Sequence, residues 1–202
     1  MLDIIIKCVE PLQLSGIKLD LLVSFIMTCV IVLFVIVVGR VIDIIETFLM
    51  DRLSILLSPK WASFIMNRLT FVGTILHELA HAIVVWLTGA KVIKIRLFEL
   101  AANGRLGHVE FALRGPKWKQ LLQLSLGSCA PVLFGLLEEY ILIRIVLFHE
   151  LDLKIQILLW YFIISIFVHM SMSKEDLKHY IHGLLVVIPI IMLLCMAFQY
   201  FL

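Results

Sequence analysis

The sequence predicts an all-α polytopic membrane protein with about five transmembrane helices and a small β-hairpin inserted between the second and third spans. The first observation is composition: 62% of the 202 residues are hydrophobic and 16% are charged, whereas a soluble domain is nearer half apolar and a quarter charged. The second is a set of long apolar runs, since a helix needs about 20 apolar residues to cross a bilayer. The third is a change of pattern between Lys91 and Lys119, where short alternating segments replace these runs.

Five apolar runs define the predicted spans. They lie at about Leu21 to Val38, Met66 to Thr88, Leu121 onwards to Glu138 or Phe148, Ile155 to Met170, and Ile181 to Leu202. The mixed stretch from Arg40 to Lys60 is predicted to be an interfacial helix or an extension of the first span. We expect a single membrane-embedded domain over residues 1–202, with its core at about 66–185.

The predicted hairpin covers about residues 91–114. Val109 and Phe111 alternate with His108 and Glu110, which is the two-residue period of a half-exposed strand. Asn103-Gly104, before this stretch, is a strong hairpin turn signal. Because an open sheet edge cannot face lipid, the hairpin must lie outside the hydrocarbon core or be shielded by protein.

Charge indicates an orientation and excludes one class of partner. The formal net charge is +2, which is not typical of a nucleic-acid binder, and the few aromatic residues near the basic stretch do not form a base-stacking pattern. With five spans, most lysines and arginines fall on the side of the N-terminus, the hairpin and the polar break Ser171 to His179. The positive-inside rule then places that side in the cytoplasm. Compact size favours a bacterial cytoplasmic membrane.

The segment His77-Glu78-Leu79-Ala80-His81 lies inside the second predicted span. Histidines at i and i+4 project from one helix face, a spacing that suits two ligands of one zinc ion. Glu78 is placed to act as a general base toward water rather than as a ligand. Ionisable groups are costly to bury in a membrane and mark function by default. A merely solvated helix face is less favoured because both flanks are apolar, and the remaining alternative is a polar helix-contact network without metal.

A catalytic zinc site usually has three protein ligands, so one more is needed. Asp176, in the polar break before the fifth span, is the preferred candidate. It has a competing role, because Ser173 and Asp176 have the spacing of a helix N-cap and its N3 partner. The remaining candidates for the third ligand are His169, Glu175, His179 and His182.

Three segments together resemble the site-2 protease family of intramembrane zinc metalloproteases, in a compact form without a PDZ domain. They are the His77–His81 motif within a span, the strand Leu106-Gly107-His108-Val109-Glu110-Phe111 after it, and the segment Ser171 to Lys178 around an aspartate. The last departs from the family pattern Asn-Pro-x-x-Asp-Gly, since it has Met-Ser-Lys-Glu-Asp-Leu. The polar residue that the family often has on its third core span has its nearest counterpart in Ser128.

The resemblance implies a zinc-dependent metalloendopeptidase that cleaves membrane proteins or peptides within or near the bilayer. Zn²⁺ would be bound by His77, His81 and Asp176, with Glu78 activating water. A substrate strand would pair with an exposed strand near Gly107, His108 and Val109, a binding mode known as β-augmentation. Two alternatives remain: a metal-binding but non-proteolytic membrane subunit, such as a chaperone or transporter accessory, and a membrane zinc peptidase of another family with a glutamate as third ligand.

Overall fold

The computed structural model describes residues 4–5, 16–100 and 106–201. The chain is mostly helical, with one two-stranded antiparallel sheet. A π-helical segment, Phe64–Leu69, follows the short helix Pro59–Ser63, and the predicted Asn103-Gly104 turn lies outside the described residues. In chain order the elements are α1 Ile17–Leu56, α2 Pro59–Ser63, α3 Phe71–Leu87, β1 Lys91–Leu100, β2 Leu106–Ala112, α4 Lys117–Phe148, α5 Leu153–His169 and α6 Lys174–Phe201.

Two helices in the described part of the chain, α1 and α6, are long and apolar enough to cross a membrane. A third candidate is the pair formed by Pro59–Leu69 and α3, which is bent by 59° at the junction. Helix α5 is apolar but has only 17 residues, and α4 carries the buried polar side chains Gln123, Ser125 and Glu139. The membrane prediction is therefore supported for two or three spans, and five spans remain a prediction.

The bend before α3 is stabilised by one serine of α5. Ser165 Oγ donates a hydrogen bond to Thr70 O and accepts one from Gly73 N, each at 2.8 Å. Gly73 N also donates to Thr70 O at 3.1 Å, so Ser165 gives each of these two backbone groups a second partner at the bend. Gly73 permits the approach, because a Cβ there would lie 1.9 Å from Ser165 O. The second apolar run is therefore broken before its histidines, where the sequence predicted one continuous span.

Helix α1 is continuous over 40 residues and lies antiparallel to α6. Gln199 Nε2 donates to Ser24 Oγ at 2.8 Å, and Met172 N donates to Gly39 O at 3.1 Å. Since a helix rises 1.5 Å per residue, Ser24 and Gly39 lie about 22 Å apart. The start of α1 therefore lies about 22 Å along the helix from the contact with the segment that precedes α6. This separation does not support the prediction that the N-terminus and the polar break lie on the same side of the membrane.

Helix α4 lies at the centre, against both α3 and α6. Its small-residue stretch Gly127 to Pro131 is buried throughout. A Cβ added at Gly127 would lie 2.6 Å from Val85 of α3, and one added at Gly183 of α6 would lie 2.2 Å from Ser125 Cβ. These close approaches hold α3 and α6 on opposite flanks of α4, which positions the residues described below.

Strands β1 and β2 follow α3 directly in the chain and pair with Lys91 opposite Ala112 and Ile95 opposite Val109. Gln123 holds the connection between β2 and α4 in place. Its Nε2 donates to Thr88 O and Arg114 O, both at 3.1 Å, and its Oε1 accepts from Arg114 N at 3.0 Å. One fully buried side chain therefore ties the end of α3, the end of the sheet and the start of α4 together.

We expect Gln123→Leu to destabilise the protein by about 2–4 kcal/mol. A buried polar group that loses its partner costs roughly 1–3 kcal/mol, and this substitution removes the partner of three backbone groups at once. Thermal unfolding of the purified protein in detergent measures the effect. Gln120→Leu is the matched control, because Gln120 makes one exposed hydrogen bond to Gly115 O. Equal melting temperatures for the two variants would contradict this role of Gln123.

Candidate metal centre

Three side chains predicted as ligands converge at one point. His77 and His81 lie one turn apart on α3, and Asp176 lies in the first turn of α6. One ligand atom from each residue lies within 4.8 Å of the other two. His77 Nε2 and His81 Nε2 are 3.1 Å apart, and His81 Nε2 is 3.9 Å from Asp176 Oδ1. Among the described residues, this is the one such group of histidine, cysteine and acidic side chains that can hold a metal ion.

The two imidazoles are oriented by backbone carbonyls on their other nitrogens. His77 Nδ1 lies 2.6 Å from His169 O, and His81 Nδ1 lies 2.8 Å from Gly127 O. A carbonyl oxygen only accepts, so each Nδ1 carries the proton and each Nε2 presents a lone pair. Metal-binding histidines almost always have such an outer partner, which fixes the tautomer and the ring orientation.

Asp176 uses its two carboxylate oxygens differently. Ser173 Oγ and Ser173 N both donate to Asp176 Oδ2, while Asp176 N donates back to Ser173 Oγ at 3.1 Å. This is a reciprocal cap at the start of α6. Oδ1 is the oxygen on the side of His81. Capping and metal binding, which the sequence left as alternatives, are therefore compatible: the cap holds the carboxylate with its second oxygen toward the histidines.

The donor set matches the preferences of a catalytic zinc ion. Two imidazoles and one carboxylate are among the common ligand combinations, with bonds of about 2.0–2.2 Å. In a tetrahedron with such bonds, neighbouring ligand atoms lie roughly 3.3–3.5 Å apart. The 3.1 Å and 3.9 Å separations bracket this value. The three ligand atoms all lie within 4.8 Å of one another, so the side chains must draw closer together to bind one ion as tetrahedral ligands.

Glu78 lies beside this group at the wall of a cavity of about 240 Å³. The strand residue Gly107 packs against Glu78, because a Cβ at Gly107 would lie 3.1 Å from Glu78 Cγ. Gly107 also has φ +85°, a backbone conformation that favours glycine. A side chain at Gly107 would therefore displace Glu78 and strain the strand. Gly107, His108 and Val109, the substrate contacts that the family resemblance implied, all line the same cavity as His77, Glu78, His81 and Asp176.

The other candidates for a third ligand are outside the cluster. His169 Nε2 lies 2.8 Å from Thr70 Oγ1, so its ring supports the bend before α3 while its carbonyl orients His77. Glu175 and His179 line the large cavity without joining the group. His182 is exposed, and its Nδ1 lies 2.7 Å from Lys178 O. Ser128, the nearest counterpart of the polar residue on the family's third core span, is buried and also lines the large cavity.

Two groups of supporting residues were missed by sequence analysis. The carbonyls of Gly127 and His169 have no side-chain signature, so no pattern could have assigned them to the histidines. Glu46, in the mixed part of α1, accepts a hydrogen bond from Ser171 Oγ at 2.8 Å and lines a second cavity beside His77 and Glu78. An acidic residue within an apolar helix was the available signal.

No family model, curated protein or solved structure matches this chain. The geometry of the His77, His81 and Asp176 group, with Glu78 beside it, is therefore the basis for a function.

Proposed function

We propose that this protein is an intramembrane zinc metalloprotease, which hydrolyses peptide bonds of membrane-associated substrates within or near the bilayer. One observation carries the proposal. Two imidazole Nε2 atoms and one carboxylate oxygen lie within 4.8 Å of one another, beside a glutamate, at the wall of a cavity. A structural zinc site has four protein ligands and needs no base, whereas this arrangement has three ligands and a base.

His77, His81 and Asp176 would hold the ion in this proposal. When bound there, zinc acidifies a water molecule and polarises the scissile carbonyl. Glu78 takes the proton from the attacking water and passes it to the leaving amine. His169 O and Gly127 O keep the imidazoles in the correct tautomer throughout. The peptide bond breaks with consumption of one water, giving a carboxylate and an amine.

The substrate in this proposal enters the 240 Å³ cavity from the side of strand β2. A membrane helix must unwind to expose a peptide bond, and an extended segment can then add to a sheet edge by backbone hydrogen bonds. Gly107, His108 and Val109 lie on the strand that lines the cavity. A segment paired there would pass close to Glu78, because Gly107 leaves no side chain between the strand and that glutamate.

The membrane arrangement within the proposal is multi-pass, with the hairpin following the bent pair of helices that ends in α3. It is supported by two helices of sufficient length and apolarity, by a third candidate that is bent, and by the apolar helix α5. We place the protein in a bacterial cytoplasmic membrane with the site toward the cytoplasm, on the basis of the lysines and arginines in the hairpin and the polar break alone.

Metal removal tests the proposal. Membranes from cells that express the protein should show new N-termini within or near transmembrane segments of other membrane proteins, compared with cells lacking it. In detergent extracts, 1,10-phenanthroline should abolish this cleavage, and added Zn²⁺ should restore it because the apo-site is pre-formed by hydrogen bonds. Cleavage that resists the chelator, or an absence of new N-termini, would contradict the proposed function.

A further inference from the structure

A second, smaller cavity lies on the other side of His77 and Glu78. Its volume is about 60 Å³. Every residue that lines it is polar or ionisable, although the helices around it are strongly apolar. The lining residues are Glu46, Asn67, Thr74, His77, Glu78, His169 and Ser171.

Four parts of the chain supply these residues: α1, the π-helical segment, α3, and the end of α5 with the residues that follow it. π-helical turns are rare and are frequently found at functional sites. The π-helical segment here contains Asn67, which lines the cavity. Polar residues from separate elements therefore converge on one small cavity. Because burying polar side chains in a membrane protein costs free energy, such a cluster indicates a function.

The size and lining of this cavity suit ordered water. A buried water molecule needs roughly 10–15 Å³ of cavity volume and two to four polar partners. The cavity of about 60 Å³ therefore accommodates several water molecules. Glu46 is held in position at its edge, because Ser171 Oγ donates to Glu46 Oε2 at 2.8 Å. The Ser171 side chain is itself only 7% exposed. A carboxylate fixed in this way is a strong acceptor for water hydrogen atoms.

His77 and Glu78 line both cavities. A substrate strand in the large cavity would block the approach of water from that side. Each turnover nevertheless consumes one water, in the reaction of a peptide and water to a carboxylate and an amine. A store of water that reaches Glu78 from the opposite side removes this conflict.

We propose that the cavity bounded by Glu46, Asn67 and Ser171 is a hydration site that supplies the hydrolytic water to Glu78 while substrate occupies the larger cavity. Glu46 is a positioning residue: it holds water and does not contact the substrate. This inference rests on the proposed protease function and adds a water site and a role for α1 to it.

The test compares Glu46→Leu, Glu46→Gln and Ser171→Ala in the full-length, zinc-loaded protein, with a peptide substrate found by the N-terminal comparison above. Glu46→Leu should lower kcat by about 10-fold or more and leave KM unchanged, because an apolar side chain dries the cavity without entering the substrate site. Glu46→Gln retains an acceptor and should restore most of kcat. Ser171→Ala should give an intermediate loss. Asp51→Asn, an exposed acidic residue on the same helix, is the matched control.

Zinc content, measured on the same samples, separates the possible failures. Wild-type kcat in Glu46→Leu with full zinc content would overturn the hydration site and leave the protease proposal standing. Lower zinc content in Glu46→Leu or Ser171→Ala would show a structural role and would also overturn it. Inactive wild-type protein would refute the protease function itself. A high-resolution structure of the zinc-loaded protein should contain ordered water in this cavity, and a dry cavity would contradict the inference.

Discussion

Glu78→Gln is expected to abolish cleavage while leaving the fold and the metal site intact. The amide has nearly the same shape as the carboxylate but cannot accept the proton of the attacking water. General base catalysis typically contributes 10²–10⁴-fold, so kcat should fall by at least about 100-fold. The ligands and their outer partners are untouched by this change, since His77 and His81 are held by the carbonyls of His169 and Gly127. Peptide cleavage by the two purified proteins, with equal zinc content, measures the difference.

Any substitution in the cavity wall could lower kcat by disturbing the wall, so Glu78→Gln needs a control variant in the same wall. Glu175→Gln is suitable, because Glu175 lines the same cavity, is exposed, and lies outside the ligand group. It should keep most of the wild-type kcat. If Glu78→Gln cleaves as fast as wild-type protein, the assignment of the base is wrong, and the non-proteolytic alternative gains support.

Asp176→Ala is expected to weaken zinc binding by at least about 100-fold. Loss of an outer-shell partner typically costs 10–100-fold in metal affinity, and this substitution removes a ligand itself. The substitution also removes the acceptor of the Ser173 bonds at the start of α6. Competition with a zinc chelator of known affinity, applied to the purified protein, gives the change in dissociation constant.

Ser173→Ala separates the two roles of Asp176. It removes the capping hydroxyl but leaves Oδ1 on the side of His81. Loss of a cap costs about 1 kcal/mol of stability, so this variant should melt earlier and still bind zinc. If Ser173→Ala loses zinc as fully as Asp176→Ala does, the aspartate acts only through the cap. If Glu175→Ala loses zinc and Asp176→Ala does not, a glutamate is the third ligand.

The parts of the site that could be predicted are those set by local spacing. Histidines four residues apart must share a helix face, and the alternation around Val109 requires a strand. The Ser173 and Asp176 spacing also indicated a helix start. Each of these patterns depends on only a few consecutive residues, so the surrounding fold cannot easily change it.

The rest depended on contacts between distant parts of the chain. Nothing near Gln123 in the sequence shows that its amide meets Thr88 O and both backbone groups of Arg114. The bend at Thr70 has no proline, and it is stabilised by Ser165, which is 95 residues away. The relation of α1 to α6 followed from Gly39 and Ser24, whose partners Met172 and Gln199 lie far along the chain. Span counting and charge bias carry no information on such pairs.

The central claim is that His77, His81 and Asp176 form a zinc site, and zinc K-edge X-ray absorption spectroscopy of the purified wild-type protein tests it most directly. We expect one zinc per chain, with nitrogen and oxygen ligands at about 2.0–2.2 Å and a scattering pattern from two imidazoles. Protein that contains no stoichiometric zinc after purification without chelators, or zinc bound to sulfur at about 2.3 Å, would contradict the claim.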